Sequence, residues 1–417
     1  MSTTAKTAGP DLGRKGLFRA PDGKNLLATF ALVTTLFLLW GFCNGLIDIL
    51  NKHFQSTLHI NKYQSGFVQS ANYLAYFLMA IPAGLLARRF GYKGGIIIGL
   101  ILIAAGAFWF VGATQIGAYW AFLTGLFILA TGMTCLETIA NPYTTVLGPS
   151  ESGATRINIA QTFNGVGWIL GPVVGGYFVF SGTAADANAQ LYVPYLGIGL
   201  VVTVLIGIFV IAKVPDLVAE EDVKTEAEGG PKKPLLRRPH FTLGVLTQFL
   251  YVSAQSGIFG FFINYMLENA HGVTPGQAAS YLGIFGFGLF TVGRLCGSVV
   301  VGLTKPHAAL AVYAAACLAL CCVAMWGGWV GLIALLGTFF FMSIMFPSIF
   351  ALSIRGLGEH TKLGSSLVVM SIVGGAIVPP LMGHIADVSS MRIGFLVPAA
   401  CFVLIACYGA MWPKLER

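Results

Sequence analysis

Three charged side chains stand deep inside apolar runs: Asp48, Glu137 and Arg294. An ionised group at a bilayer centre costs at least about 2.5–3.5 kcal/mol, so each needs a partner or a task. Asp48 ends the run LLWGFCNGLID, and Asn44 lies one turn before it on the same helical face. That polar stripe suits a water-filled cavity; the alternative is an interfacial carboxylate at the outer end of a span. Glu137 sits in ILATGMTCLETIANPY, with Asn141 one turn on and then Pro142, which weakens the helix. It reads as a proton or substrate site, or as a structural, hydrogen-bonded Glu. Gln161 and Asn164 share a face at i, i+3. Amides donate and accept at once, which suits sugar hydroxyls, and the same chemistry glues helices together. Gln255 and Asn264 offer it again on a later run.

Arg294, in TVGRLCGS, reads first as structural: snorkelling, pairing with a loop carboxylate, or helping a gate. His384 and Asp387 lie one turn apart near the end of a run and read as a solvated pair. The eight cysteines all fall in apolar runs, with no CxxC spacing and no His at a metal-site interval. They read as small core residues, so neither a metal nor a disulfide framework is expected. No nucleophile–base constellation appears, and an enzyme is not expected.

Membrane-spanning elements must position these residues. Of 417 residues, 56% are hydrophobic and 10% charged, and the mean hydropathy is +0.79. A soluble protein runs nearer about 45–50% apolar and about 25% charged. Too few charges exist to dress a soluble surface, so lipid is the expected solvent. Twelve runs reach the about 20 residues that cross a bilayer. They lie near 26–50, 63–87, 94–113, 116–147, 157–180, 191–212, 241–267, 276–303, 307–326, 329–354, 364–386 and 393–413. Period-two alternation is absent, so they are helices. The fold expected is an all-α integral membrane protein with twelve helices in two six-helix bundles.

A hydrophilic stretch, 213–240, splits the chain. The expected organisation is a tail at 1–25, a bundle at 26–212, the central loop 213–240, and a bundle at 241–417. A cytoplasmic N-terminus leaves only Lys52, Lys62 and Arg392, of 24 basic residues, on the outside. Both termini and the central loop are therefore expected in the cytoplasm. The net charge of +8 then reports topology. No stripe of Lys or Arg with interleaved aromatics supports nucleic-acid binding. Pro142, Arg156 and Pro172 recur as Pro347, Lys362 and Pro379 about half a chain later. Parallel six-span halves with a site between them describe a secondary transporter of the major facilitator type.

Longer blocks carry a closer likeness. CLETIANPYTTVLGP at 135–149 with NIAQTFN at 158–164 resembles the fucose–galactose–glucose:proton symporters of the major facilitator superfamily. So do FMSIMFPSIFALSIRGLGEHTKLGSS at 341–366 and VGGAIVPPLMGHIAD at 373–387. GLLARRFGYKGG at 84–95 is similar to the superfamily's signature loop, with Arg88 at its usual acidic position. The resemblance implies alternating access and inward movement of one monosaccharide with a proton. It puts the essential carboxylates on Asp48 and Glu137, the sugar-contacting amides on Gln161 and Asn164, and a further polar position on Asn44. The chain departs from the pattern at Ile47, where Asn is common. The stretch GWILGPVVGG at 167–176 is similar instead to a signature of proton-coupled exporters. Glu137 stands where the glucose/galactose branch often has Gln.

The function expected is import of a monosaccharide, L-fucose or a hexose such as glucose or galactose, with a proton. A sodium-coupled transporter of the same fold and a proton-coupled exporter are the rivals. No cofactor is expected beyond the co-transported proton, or sodium as its alternative. The expected setting is the bacterial inner membrane, and the expected state a monomer in the lipid bilayer.

Overall fold

The computed structural model describes residues 17–19, 24–149, 153–180, 184–215, 235–357 and 361–415. Most of the expected tail at 1–25, and 216–234 of the central loop, lie outside the described residues.

The first half of the chain opens with α1 (Leu27–Thr57), the short α2 (Lys62–Ser65) and α3 (Phe67–Ile116). It continues with α4 (Tyr119–Val146), α5 (Gly153–Val179) and α6 (Ala184–Ile211). The second half holds α7 (Pro239–Asn269), α8 (Pro275–Tyr281), α9 (Gly288–Leu303), α10 (Pro306–Ala324) and α11 (Gly328–Met342). It ends with α12 (Met345–Ile354), α13 (Thr361–Met370), α14 (Gly374–Val388), α15 (Met391–Gly394) and α16 (Leu396–Leu415). α3 is two crossings joined at Gly91, whose φ of 71° is a conformation that glycine adopts without a Cβ penalty. Twelve crossings in two six-helix bundles result, as the apolar runs imply. An even number puts both chain ends on one face, here the terminal face; the opposite one is the distal face.

Three crossings of the second half are interrupted where the sequence suggests continuous helices. A π-helical segment, Leu282–Phe287, links α8 to α9, and a 3-10 turn, Ser371–Val373, links α13 to α14. The helix between α11 and α12 breaks at Ser343–Ile344. Pro347 cannot donate to the carbonyl four residues back, which is that of Ser343. Pro380 likewise leaves the Ala376 carbonyl without its helical partner. The Ser70 hydroxyl, from the other bundle, donates to it at 2.5 Å.

Small residues let α1 and α5 meet backbone to backbone. A Cβ on Gly45 would stand 2.7 Å from the Trp168 carbonyl oxygen, and one on Gly171 2.7 Å from that of Phe42. Gly165 and Gly176 face the other way, against Thr291 and Ala279 of the second bundle. The glycine face of α5 therefore packs on two sides. Large apolar side chains such as Leu303, Ile211 and Val330 are exposed on the outside, which suits lipid.

The bundles meet at the distal face. Lys62 pairs with Glu268 at 2.8 Å. Asp387 accepts from the Lys62 and Tyr63 amides at 3.1 and 2.8 Å, and His384 lies edge-on to Tyr63. Of these two residues, expected as a merely solvated pair, Asp387 instead caps α2 across the bundle interface, while His384 stays exposed beside Tyr63. The reason is the free N–H groups of the first helical turn, which a carboxylate satisfies. At the terminal face, hydrogen bonds among the described residues fasten each bundle to itself. Arg156 donates to carbonyls of Thr144, Pro149 and Leu17. In the second bundle Arg238 donates to Gly356, and the Tyr408 hydroxyl to His240. The molecule is thus latched at the distal face.

Candidate functional site

α1 buries Asn44 and Asp48 on one face, 7% and 4% exposed. With a rise of about 1.5 Å per residue, Asp48 lies about 14 Å from the distal end of α1. By the same measure Glu137 lies about 14 Å from the terminal end of α4. The two carboxylates therefore straddle the middle of the membrane.

A ladder on α3 runs between them. Gln69, Tyr73 and Tyr76 are spaced i, i+4, i+7 and share a face. Gln69 Nε2 donates to Asp48 Oδ1 at 2.7 Å. Tyr73 lies near enough to both Asp48 and Glu137 to sense their charge. Tyr76 interacts with the Glu137 carboxylate and the Asn44 amide, and its hydroxyl accepts from Trp40 Nε1 at 2.7 Å. Asn44 Nδ2 donates to the Trp40 carbonyl at 3.0 Å. Glu137 is half-buried in a small recess walled by Leu36, Phe37, Trp40 and Ala140.

A second polar cluster adjoins Glu137. Asn141 Nδ2 donates to the Glu137 carbonyl at 3.0 Å, and Gln161 Nε2 donates to Asn141 Oδ1 at 3.1 Å. Gln161 is half-buried. Asn164 is more deeply held, 3% exposed, and its Nδ2 donates to the Phe37 carbonyl at 3.2 Å. One of its donors therefore fastens α5 to α1, while its Oδ1 is left for other work.

The second bundle faces this site with aromatic rings. Phe259 stacks on Phe339 with centroids 4.7 Å apart. Phe287 sits 5.0 Å from Phe259 and 4.7 Å from Trp168 of the first bundle. Arg294 is half-buried, with its guanidinium 5.1 Å from the Phe290 ring centre. Tyr251 lies within its electrostatic reach. Gln255 is half-buried on α7. Asn264 is set apart from the Glu137 cluster. Its Nδ2 donates to Gln55 Oε1 at 2.6 Å, so it joins the bundles near the distal face.

The structure therefore gathers Asn44, Asp48, Glu137 and Gln161 around the α3 ladder, with Asn164 beside them. Gln69, Tyr73 and Tyr76 are absent from the sequence-based set. Their signal was a polar i, i+4, i+7 pattern in QSANYLAY, which carries no charge to draw notice. Chemically, a carboxylate accepts when ionised and also donates when protonated, and a phenol can do both. The ladder meets one acid at each end, through Gln69 and Tyr76, and the amides can hold hydroxyl groups. Among the described residues no three His, Cys, Asp or Glu side chains gather as a metal ion requires.

Comparison with known proteins places this geometry. The sequence profile of the Major Facilitator Superfamily matches residues 27–372. The chain is 40% identical over 409 residues to the L-fucose-proton symporter of Escherichia coli (strain K12), covering 93% of each. It is 36% identical over 397 residues to a Glucose/galactose transporter of Brucella abortus biovar 1, covering 94% of this chain and 95% of that one. A crystal structure of FucP, a Major Facilitator Superfamily transporter in the outward conformation, is 38% identical and superposes with a TM-score of 0.67. The alignment covers 92% of this chain and 98% of that one. The resemblance drawn from the sequence blocks stands on these matches, and the chain belongs to the Major Facilitator Superfamily.

Proposed function

We propose that this chain is a proton-coupled monosaccharide importer working by alternating access, with L-fucose or a hexose such as galactose or glucose as its sugar. The observation that carries the proposal is the pair of membrane-buried carboxylates, Asp48 and Glu137, joined by the α3 ladder beside sugar-compatible amides. The named activities of the relatives, L-fucose–proton symport and glucose/galactose transport, support it.

In this reading the distal face is outside and the terminal face cytoplasmic, as the placement of the basic residues favours. The protein works as a monomer in the inner membrane. Residues 26–212 and 241–417 are the two bodies that rock about the site, with 213–240 as their cytoplasmic tether. Gln161 and Asn164 hold sugar hydroxyls, and Asn44 orders the wall beside them. Glu137 senses both sugar and proton, since its carboxylate meets the ladder at Tyr76 and the amides Asn141 and Gln161 lie one turn along the same wall. Asp48 takes the proton from outside, lying nearer the distal end. Protonation removes a charge that would resist occlusion, and ionisation on the inside favours release. Gln255 lines the C-terminal wall, and Asn264 supports closure through Gln55. Each charge moved inward gains about 2.3 kcal/mol per 100 mV.

The test is a sugar panel in proteoliposomes under an imposed pH gradient, then under a sodium gradient. Accumulation of L-fucose or a hexose under the pH gradient alone is expected. Accumulation that needs sodium, or net export, would reject the proton-import reading.

A further inference from the structure

We propose that Gln69 and Asn51, seated against Gly260, form a latch through which the state of Asp48 controls closure of the distal face. The proposal rests on the reading of Asp48 as a proton site.

Gln69 and Asn51 are buried, 1% and 0% exposed, and both belong to the first bundle. Gln69 Nε2 donates to Asp48 Oδ1 at 2.7 Å. Asn51 Nδ2 crosses to the second bundle and donates to the Gly260 carbonyl at 3.1 Å. Gly260 provides the notch for both amides. A Cβ there would stand 2.9 Å from Asn51 Nδ2 and 3.1 Å from Gln69 Nε2. The residue that holds the carboxylate therefore also presses on the opposite bundle.

The hydrogen-bond accounting is one proton short. Among the described residues neither Asp48 Oδ2 nor Asn51 Oδ1 has a partner, although both are buried. They sit on the same face of α1, three residues apart. Leaving a buried acceptor unmade is costly, and a charged one more so. A proton on Asp48 Oδ2 converts one of the two acceptors into a donor and removes the charge. The carboxyl is then neutral, and the cluster can stay sealed against Gly260. Loss of that proton leaves a buried charge with one hydrogen bond, which favours opening of the distal face.

The neighbours of Asp48 do not replace the proton. α3 brings Gln69 and, as a titratable group, Tyr73. α7 brings the uncharged Gly260. α5 meets α1 here with Gly171 and Pro172 against Gly45, which carry no charge. On α1 itself, Lys52 has Lys62 and Glu268 as its electrostatic partners, and the buried His53 ring packs against Phe54 and Phe180.

The experiment is a spin-label distance measurement on the full chain in lipid nanodiscs. Labels go on cysteines replacing His59 and His271, exposed positions on opposite bundles at the distal face. Exposed Cys296, Cys322 and Cys407 are first changed to Ser. The closed, short-distance fraction is followed from mildly acid to mildly alkaline pH. In this otherwise wild-type background the closed-to-open ratio should fall as pH rises, by up to about tenfold per pH unit for one proton. Asp48→Asn should hold one closed-to-open ratio at every pH, that of the acid end of the background titration, which leaves enough opening for sugar exchange. Gln69→Met keeps the length of the side chain but removes its amide, so an ionised Asp48 has no hydrogen bond left in the closed state and the alkaline fall of the ratio should deepen several-fold. Gly260→Ala, on the other bundle, crowds both amides and should lower the closed fraction across the pH range, and sugar binding by each variant reports an intact fold. If Asp48→Asn is flat while Gln69→Met and Gly260→Ala titrate as the background does, the latch is wrong and the proton reading survives. If Asp48→Asn titrates as the background does, the reading of Asp48 as the proton site that governs closure fails, and the latch with it. A background ratio indifferent to pH overturns the latch outright.

Discussion

In the first bundle α1, α4 and α5 cross the membrane as continuous helices, and they carry Asp48, Glu137, Gln161 and Asn164. In the second bundle three crossings are interrupted, at Leu282–Phe287, at Ser343–Ile344 and at Ser371–Val373. That bundle meets the site with Phe259, Phe287 and Phe339 and brings no buried carboxylate among the described residues. The contrast suggests a division of labour. Charge chemistry needs side chains held within a fraction of an ångström, which continuous, closely packed helices provide. Movement needs places where backbone dihedrals change at low cost, which interrupted helices provide.

The sharpest way to break this comparison is to neutralise the first bundle's acids. Glu137→Gln should lower gradient-driven sugar accumulation by about 100-fold, near the upper end of coupling energies of about 3 kcal/mol. Accumulation at the wild-type level would remove Glu137 from the mechanism. Asp48→Asn should fail equally at uphill uptake yet keep exchange of labelled for unlabelled sugar. If both modes are lost in folded protein, its role is structural or in sugar binding.

The amides come next. Gln161→Ala removes a buried contact worth about 1–3 kcal/mol, so sugar affinity should fall about 5- to 150-fold. Asn164→Ala should weaken binding similarly. It should also cost about 1 kcal/mol of stability, because its bond to the Phe37 carbonyl is lost. Calorimetric titration and thermal melts separate the two effects. Unchanged affinity in both variants would reduce these residues to helix glue.

The smallest effect belongs to the ion pair between the bundles. Lys62 and Glu268 are 21% and 34% exposed, and such pairs contribute about 0–1 kcal/mol. Lys62→Ala should therefore shift the open–closed balance at the distal face by less than about fivefold. A larger shift would move the control of closure from the buried Asp48 cluster to the surface.

Much of this was legible before any coordinates. Twelve crossings follow from apolar runs that only lipid can accommodate. Asp48 and Glu137 stood out because a carboxylate in such a run is costly. The α3 ladder was not legible in the same way: Gln69, Tyr73 and Tyr76 are uncharged, and polar residues of that kind recur throughout the chain. The cross-bundle pairs were hidden for another reason. Gln55 with Asn264 and Asn51 with Gly260 each join residues 209 positions apart, a spacing that no local pattern reports. Pro347 could have signalled the break at Ser343–Ile344, whereas Pro380 lies inside the unbroken α14. The π-helical segment at Leu282–Phe287 contains no proline and gave no such sign.

The most direct test of the account is sugar-driven proton movement. Sugar is added to a weakly buffered suspension of proteoliposomes holding the full chain, and the external pH is recorded. Protein carrying both acids should make the medium more alkaline as sugar enters, and Glu137→Gln should abolish that rise. Sugar entry with no change in external pH, or with a rise that survives Glu137→Gln, would contradict the claim that the first bundle's carboxylates couple sugar to protons.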